Sequence, residues 1–122
     1  MTNDKKELQE IQDYLETGWG DTIGEMVEYL KRILTWHARL SFLQVEANTV
    51  LTSKRGAFRK EHDIDKLKQY QYKDVLDDYC SAEQYQSSWI EGLLKTISKQ
   101  SEALRTIISY EKDLANLTRN IG

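Results

Sequence analysis

An all-α fold, a long antiparallel helical hairpin carrying a short N-terminal helix, is what this sequence predicts, and three observations predict it. The 122 residues contain no proline, the residue that breaks helix interiors by removing a donor and clashing with the preceding turn. Apolar side chains recur at spacings of three and four along two long stretches, which is the period of a helix face. Only 39% of residues are hydrophobic and 30% are charged, against usual shares of about 45–50% and 25%. That balance suits narrow helical stripes better than a round core, and the expected assembly is an oligomeric helical bundle. The length fits one domain, read as an acidic N-terminal helix or arm over 1–20, a long helix over 21–60, a connector over 61–73 and a second long helix over 74–120.

In the first element, Leu8, Ile11 and Leu15 share one face of an amphipathic helix over 4–16, or of an arm that folds only when docked. Thr17-Gly-Trp-Gly ends it, since two glycines within three residues disfavour helix continuation. Trp19 between them is a plug against the body of the protein. The next helix starts at Asp21 or Thr22, where Thr22 and Glu25 have the spacing of a capping box. Ile23, Met26, Val27, Leu30, Ile33, Leu34, Leu40, Leu43, Ala47, Val50 and Leu51 then track two adjacent faces, broader than a strict coiled-coil seam. Lys54-Arg55-Gly56 reads either as a stop, with basic residues in the last turn and glycine beyond, or as helix continuing to about residue 61.

Residues 61–73 are polar and read as the connection, with one helical turn near Ile64 and Leu67. The second long helix begins at Asp74, with a break or alternative capped start at Ser81. Trp89, Ile90, Leu93, Leu94, Ile97, Leu104, Ile107, Ile108, Leu114, Leu117 and Ile121 carry its stripe. Gly92 within that stripe would admit a closely approaching helix. A hairpin alone buries one face per partner, so the extra breadth calls for the N-terminal helix and for other copies of the chain. Gln44, Gln100, Glu111 and His37 interrupt the stripes, as polar residues that set register and partner number do.

Catalytic patterns are absent from the sequence. His37 and His62, the two histidines, have no nucleophile arrangement with Cys80, serine or acids. There is no phosphate-binding glycine loop and no di-iron spacing. Glu61, His62, Asp63 and Asp65 are ligand-type residues that read as a solvated loop, so neither a metal nor a cofactor is expected and the chain is read as a non-enzyme. The single Cys80 excludes an intrachain disulfide and suits a reducing compartment. The polar start lacks a signal-peptide core, and no run approaches the roughly 18–20 apolar residues of a membrane span. The expected location is cytoplasmic, with no membrane partner.

The net charge of −3 hides a separation. Residues 1–30 carry two Lys against eight Asp and Glu, a net of −6, and residues 31–73 carry ten Lys and Arg against four acids, a net of +6. Within the second block, Lys54, Arg55, Phe58, Arg59, Lys60, Lys66, Lys68 and Lys73 interleave cations with Phe58, Tyr70 and Tyr72. Cations that track a phosphate backbone beside rings that stack bases are what sequence-tolerant single-strand binding requires. The competing reading is an ordinary basic helix end that pairs with the acidic N-terminal segment, in keeping with a pI near 5.4.

The run Lys73-Asp-Val-Leu-Asp-Asp-Tyr-Cys80, then Gln84-Tyr-Gln-Ser-Ser-Trp-Ile-Glu-Gly-Leu-Leu94, then Ala103-Leu-Arg-Thr-Ile-Ile-Ser-Tyr-Glu-Lys112 resembles small phage proteins of the UvsY-like recombination-mediator type. The long helix ending in a basic segment adds to that resemblance, which covers residues 25–115 in layout. It implies a protein of a bacterial host's cytoplasm that binds single-stranded DNA as a homo-oligomer and works with a recombinase or a single-strand-binding protein. It puts phosphate contact on Lys54, Arg55, Arg59 and Lys60, and assembly on Trp89, Leu93, Ile97, Leu104 and Ile108. The chain departs from that pattern in its acidic balance. The leading expectation is therefore a phage-type recombination or replication accessory protein that binds single-stranded DNA. The alternative is a helical-hairpin assembly or adaptor protein with only protein partners.

Overall fold

A computed structural model describes residues 2–61 and 69–121. Four α-helices follow one another: α1 (Thr2–Thr17), α2 (Ile23–Glu61), α3 (Gln69–Tyr79) and α4 (Ser81–Ile121). Among the described residues only 18–22 and Cys80 lie outside helices, so the fold is all-α.

Local chemistry sets the link between α1 and α2. Gly18 adopts a φ of 75°, and its N–H donates to the Tyr14 carbonyl at 3.4 Å. This is the left-handed cap that a residue with a Cβ adopts only at a cost. Thr22 then caps α2, its hydroxyl accepting the Glu25 N–H at 3.1 Å, while its carbonyl accepts the Met26 N–H at 3.0 Å. That is the Thr22 half of the expected capping box. The Glu25 carboxylate lies over Gly20, where a Cβ would collide with it.

Of the two readings at Lys54-Arg55-Gly56, continuation holds, and α2 runs to Glu61. A mid-helix glycine costs about 1 kcal/mol. Burial of Leu51 and Phe58 on either side contributes about 1.5–3 kcal/mol for each side chain, so the helix survives Gly56. The connector is shorter at its C-terminal end than expected, because helix resumes at Gln69 rather than Asp74. Its assignment as a loop rested on polarity, and polarity without glycine, proline or a capping residue does not stop a helix. The turn placed near Ile64 and Leu67 lies outside the described residues. Of the two readings of the stretch over 74–120, the break at Ser81 holds: α3 and α4 part at Cys80, and α4 starts at Ser81. The α-type ladder runs through that turn, since Cys80 N–H bonds the Leu76 carbonyl at 3.0 Å and Gln84 N–H bonds the Cys80 carbonyl at 2.9 Å.

The chain divides into two compact units, Met1–Leu40 with Leu93–Gly122, and Ser41–Gly92. In the first, three helices share a core. Leu8, Ile11 and Leu15 of α1 are buried, as are Met26, Tyr29, Ile33 and Leu40 of α2 and Leu93, Ile97, Leu104 and Ile108 of α4. Leu93, Ile97, Leu104 and Ile108 were expected to face other copies, and here the structure corrects the sequence reading. With α1 in place, a third helix covers the breadth that two helices leave open, and these four side chains lie inside one chain. Arg39 donates to both oxygens of Glu7, at 2.7 and 3.1 Å, which ties α2 to α1. The Tyr29 hydroxyl donates to Gln100 Oε1 at 2.6 Å, and Gln100 Nε2 donates to the Leu15 carbonyl at 3.1 Å. Leu15 lies in the last turn of α1, where carbonyls lack helical partners, so one network closes that end against both other helices. Trp19 meets Tyr29 edge-on at 5.7 Å, as a plug at that position would. Tyr14 stacks on Tyr29 at 5.0 Å and meets Trp36 edge-on at 4.6 Å.

In the second unit, Leu43, Leu51, Phe58, Cys80 and Ile90 are buried. Here α2 and α4 run antiparallel: Ser87 donates to Asn48 at 3.1 Å, and Lys54 pairs with Glu83, so numbers rise on one helix as they fall on the other. A Cβ added at Gly92 would meet nothing within 4 Å among the described residues, so no described helix of this chain approaches closely there. No described helix is long and apolar enough to cross a membrane.

Candidate nucleic-acid interface

The cations near the end of α2 divide according to helix geometry. Leu51, Lys54, Arg55 and Phe58 follow one another at spacings that keep them on one stripe, and Leu51 and Phe58 are buried. Lys54 and Arg55, between them, are half-buried, while Arg59 and Lys60 turn outward and are exposed. Lys54 is drawn into the unit. Its Nζ lies 2.7 Å from Glu83 Oε1 and 4.6 Å from the centroid of the Tyr79 ring.

Glu83 stands in the first turn of α4, where free N–H groups and the helix dipole favour a negative charge. The Lys54 hydrogen bond, joined by the residue's own backbone N–H, holds its carboxyl below the ordinary 4.5 against the opposing effect of burial. The same hydrogen bond raises Lys54 above 10.5. Only 14% of the Glu83 side chain is exposed, against 30% for Lys54. Glu83 Oε2 is buried without a hydrogen-bond partner among the described residues, so Lys54 is the cation that compensates this carboxylate.

Phe58 is corrected as a base-stacking candidate. It is 1% exposed, and its ring lies 5.3 Å from that of Tyr79. Its position four residues after Lys54 and seven after Leu51 continues the buried stripe, a signal the sequence carried. Lys66, Lys68 and His62 lie outside the described residues, as do the side chains of Tyr70 and Tyr72. Lys73 is exposed on α3, but helix there also carries exposed Asp74, Asp77 and Asp78, so that element adds little positive potential. Trp89 is half-buried, its ring 6.3 Å from the exposed Tyr85.

What remains is a small cationic surface: Arg59 and Lys60 exposed side by side, and Arg55 half-exposed one turn earlier. Among the described residues no ion pair engages Arg59 or Lys60. Such a surface can contact phosphates without reading bases. No group of three or more His, Cys, Asp or Glu among the described residues could hold a metal ion. No protein-family model, curated protein or solved structure matches this chain, so the site is read from its own residues.

Proposed function

We propose that the chain is a non-enzymatic, phage-type recombination or replication accessory protein that binds single-stranded DNA as an oligomer through the end of α2. The observation that carries this reading is the exposed Arg59–Lys60 pair, with neither side chain in an ion pair among the described residues. The resemblance of residues 25–115 to UvsY-like proteins adds to this reading, and a recombinase or single-strand-binding protein is then the natural partner. Two or three cations per copy make a weak site, so useful affinity requires several copies on one strand.

Anisotropy of a labelled oligo-dT tests the proposal. Single-strand affinity falls with salt at a slope of about −0.7 per neutralised phosphate, so two phosphates per copy give roughly a sevenfold loss between 50 and 200 mM salt for each copy engaged on the strand, multiplied over the copies. Reversing both charges, Arg59→Glu with Lys60→Glu, is expected to abolish binding. No binding at the lower salt, or binding untouched by that double reversal, would overturn the reading.

A second reading has its own observation. Phe42 and Val45 are 54% and 65% exposed on α2, and Val45, Asn48, Thr49, Thr52 and Ser53 line a shallow groove there. Two exposed apolar side chains beside a mostly polar groove suit an assembly or adaptor protein whose ligands are other proteins. It predicts an oligomer by light scattering with no DNA binding at either salt, and a monomer at micromolar concentration would remove the oligomer from both readings.

A further inference from the structure

Lys54 is the cation nearest to Arg59 and Lys60 that the fold has already committed elsewhere. Its ammonium is held 2.7 Å from Glu83 Oε1, over the ring of Tyr79. The second carboxylate oxygen of Glu83 is buried without a hydrogen-bond partner among the described residues. Drawing Lys54 away would leave an uncompensated, largely covered carboxylate, a costly state. The carboxylate therefore occupies the place on Lys54 that a backbone phosphate would take, since both are anionic oxygen acceptors for one ammonium.

We infer that Glu83 is an internal competitor for single-stranded DNA: its carboxylate stands in for a phosphate on Lys54, keeps that cation out of strand contact and lowers the number of phosphates each copy neutralises. This rests on the strand-binding reading above. With Glu83 neutral, no carboxylate holds the Lys54 ammonium, and its flexible side chain, already 30% exposed, turns outward to the strand. Lys54 then contributes one more phosphate contact per copy.

The test compares Glu83→Gln, Lys54→Gln and the double variant with the unaltered full chain on labelled oligo-dT over a salt series. For each copy engaged on the strand, Glu83→Gln is expected to tighten binding about three- to tenfold and to steepen the salt slope by about 0.7, the value of one further phosphate on a single strand. Lys54→Gln alone should change affinity less than twofold, and Lys54→Gln added to Glu83→Gln should erase the gain. If the unaltered chain binds and Glu83→Gln, folded by circular dichroism, binds no better, or the double variant keeps the gain, the competitor role is overturned while strand binding stands. The Lys54→Gln/Glu83→Gln double variant, which leaves no bare carboxylate, decides the matter should either single variant fail to fold, and it is expected to bind within twofold of the unaltered chain. A loss on removing Lys54 as large as that of the Arg59→Glu/Lys60→Glu double reversal would mean that Lys54 already contacts DNA. If neither the unaltered chain nor Glu83→Gln binds at low salt, strand binding itself is wrong and the competitor role falls with it.

Discussion

Tyr29 joins three helices through one hydroxyl. Burial, together with the nearby Tyr14, holds that hydroxyl above its ordinary value of 10 against the opposing effect of the Gln100 hydrogen bond, so it stays protonated and donates to Gln100. Gln100 in turn spends its amide on the Leu15 carbonyl. Tyr29→Phe strips the donor from a part-buried amide oxygen, and the expected cost is about 1 kcal/mol. In urea, the unfolding midpoint should fall with an unchanged slope, and an unchanged midpoint would show the network to be idle. Gln100 was visible in the sequence as a polar break in an apolar stripe. Its role was not, because a break in a stripe says only that a polar group is buried, and the partner comes from a residue 71 positions away.

Helix ends and glycines belong to the scale of the element. Gly18 is needed for its positive φ, and a side chain there is strained by roughly 1–2 kcal/mol. Gly92 and Gly56 sit inside long helices with open space where a Cβ would go. Thermal melts should therefore separate the three: Gly18→Ala lowers the midpoint, whereas Gly56→Ala and Gly92→Ala each raise stability by up to about 1 kcal/mol. A destabilising Gly92→Ala would contradict the open space seen there. The Gly18 turn and the Thr22 cap were legible beforehand, because each depends on a few adjacent residues. The start of α3 was misplaced, because nothing local distinguishes a polar helix from a polar loop without a breaker.

Across the whole molecule, each unit carries an ion pair that answers to pH in the same direction. Arg39 lowers Glu7 below 4.5, through its hydrogen bond and its charge, and Lys54 lowers Glu83. A carboxylate with a depressed folded value contributes stability that is complete above the unfolded value and is lost as pH falls through the folded one. Lys54, raised above 10.5, has the opposite sign and loses its contribution only as pH climbs through that raised value. The melting temperature should thus hold down to about pH 5 and drop toward about pH 3. A Glu7→Gln/Glu83→Gln double variant should show a shallower drop, and an equally steep one would assign acid sensitivity to other groups.

The sequence by itself determined the all-α class, the caps around residues 18–22, the amphipathic α1 and the long α2, because these follow from periodicity and from residues that act on their own backbone. It also marked the basic end of α2 as the candidate site, with Lys54, Arg55, Phe58, Arg59 and Lys60 undivided, and the structure left Arg59 and Lys60 outward. Only the tertiary structure decided which apolar faces one chain covers for itself. The third helix of the first unit encloses Leu93, Ile97, Leu104 and Ile108, residues that a two-helix picture left for other copies. It also decided that Lys54 is held by Glu83 and that Phe58 is core. A stripe shows that side chains share a face, but what stands opposite that face is set by packing between elements distant in sequence.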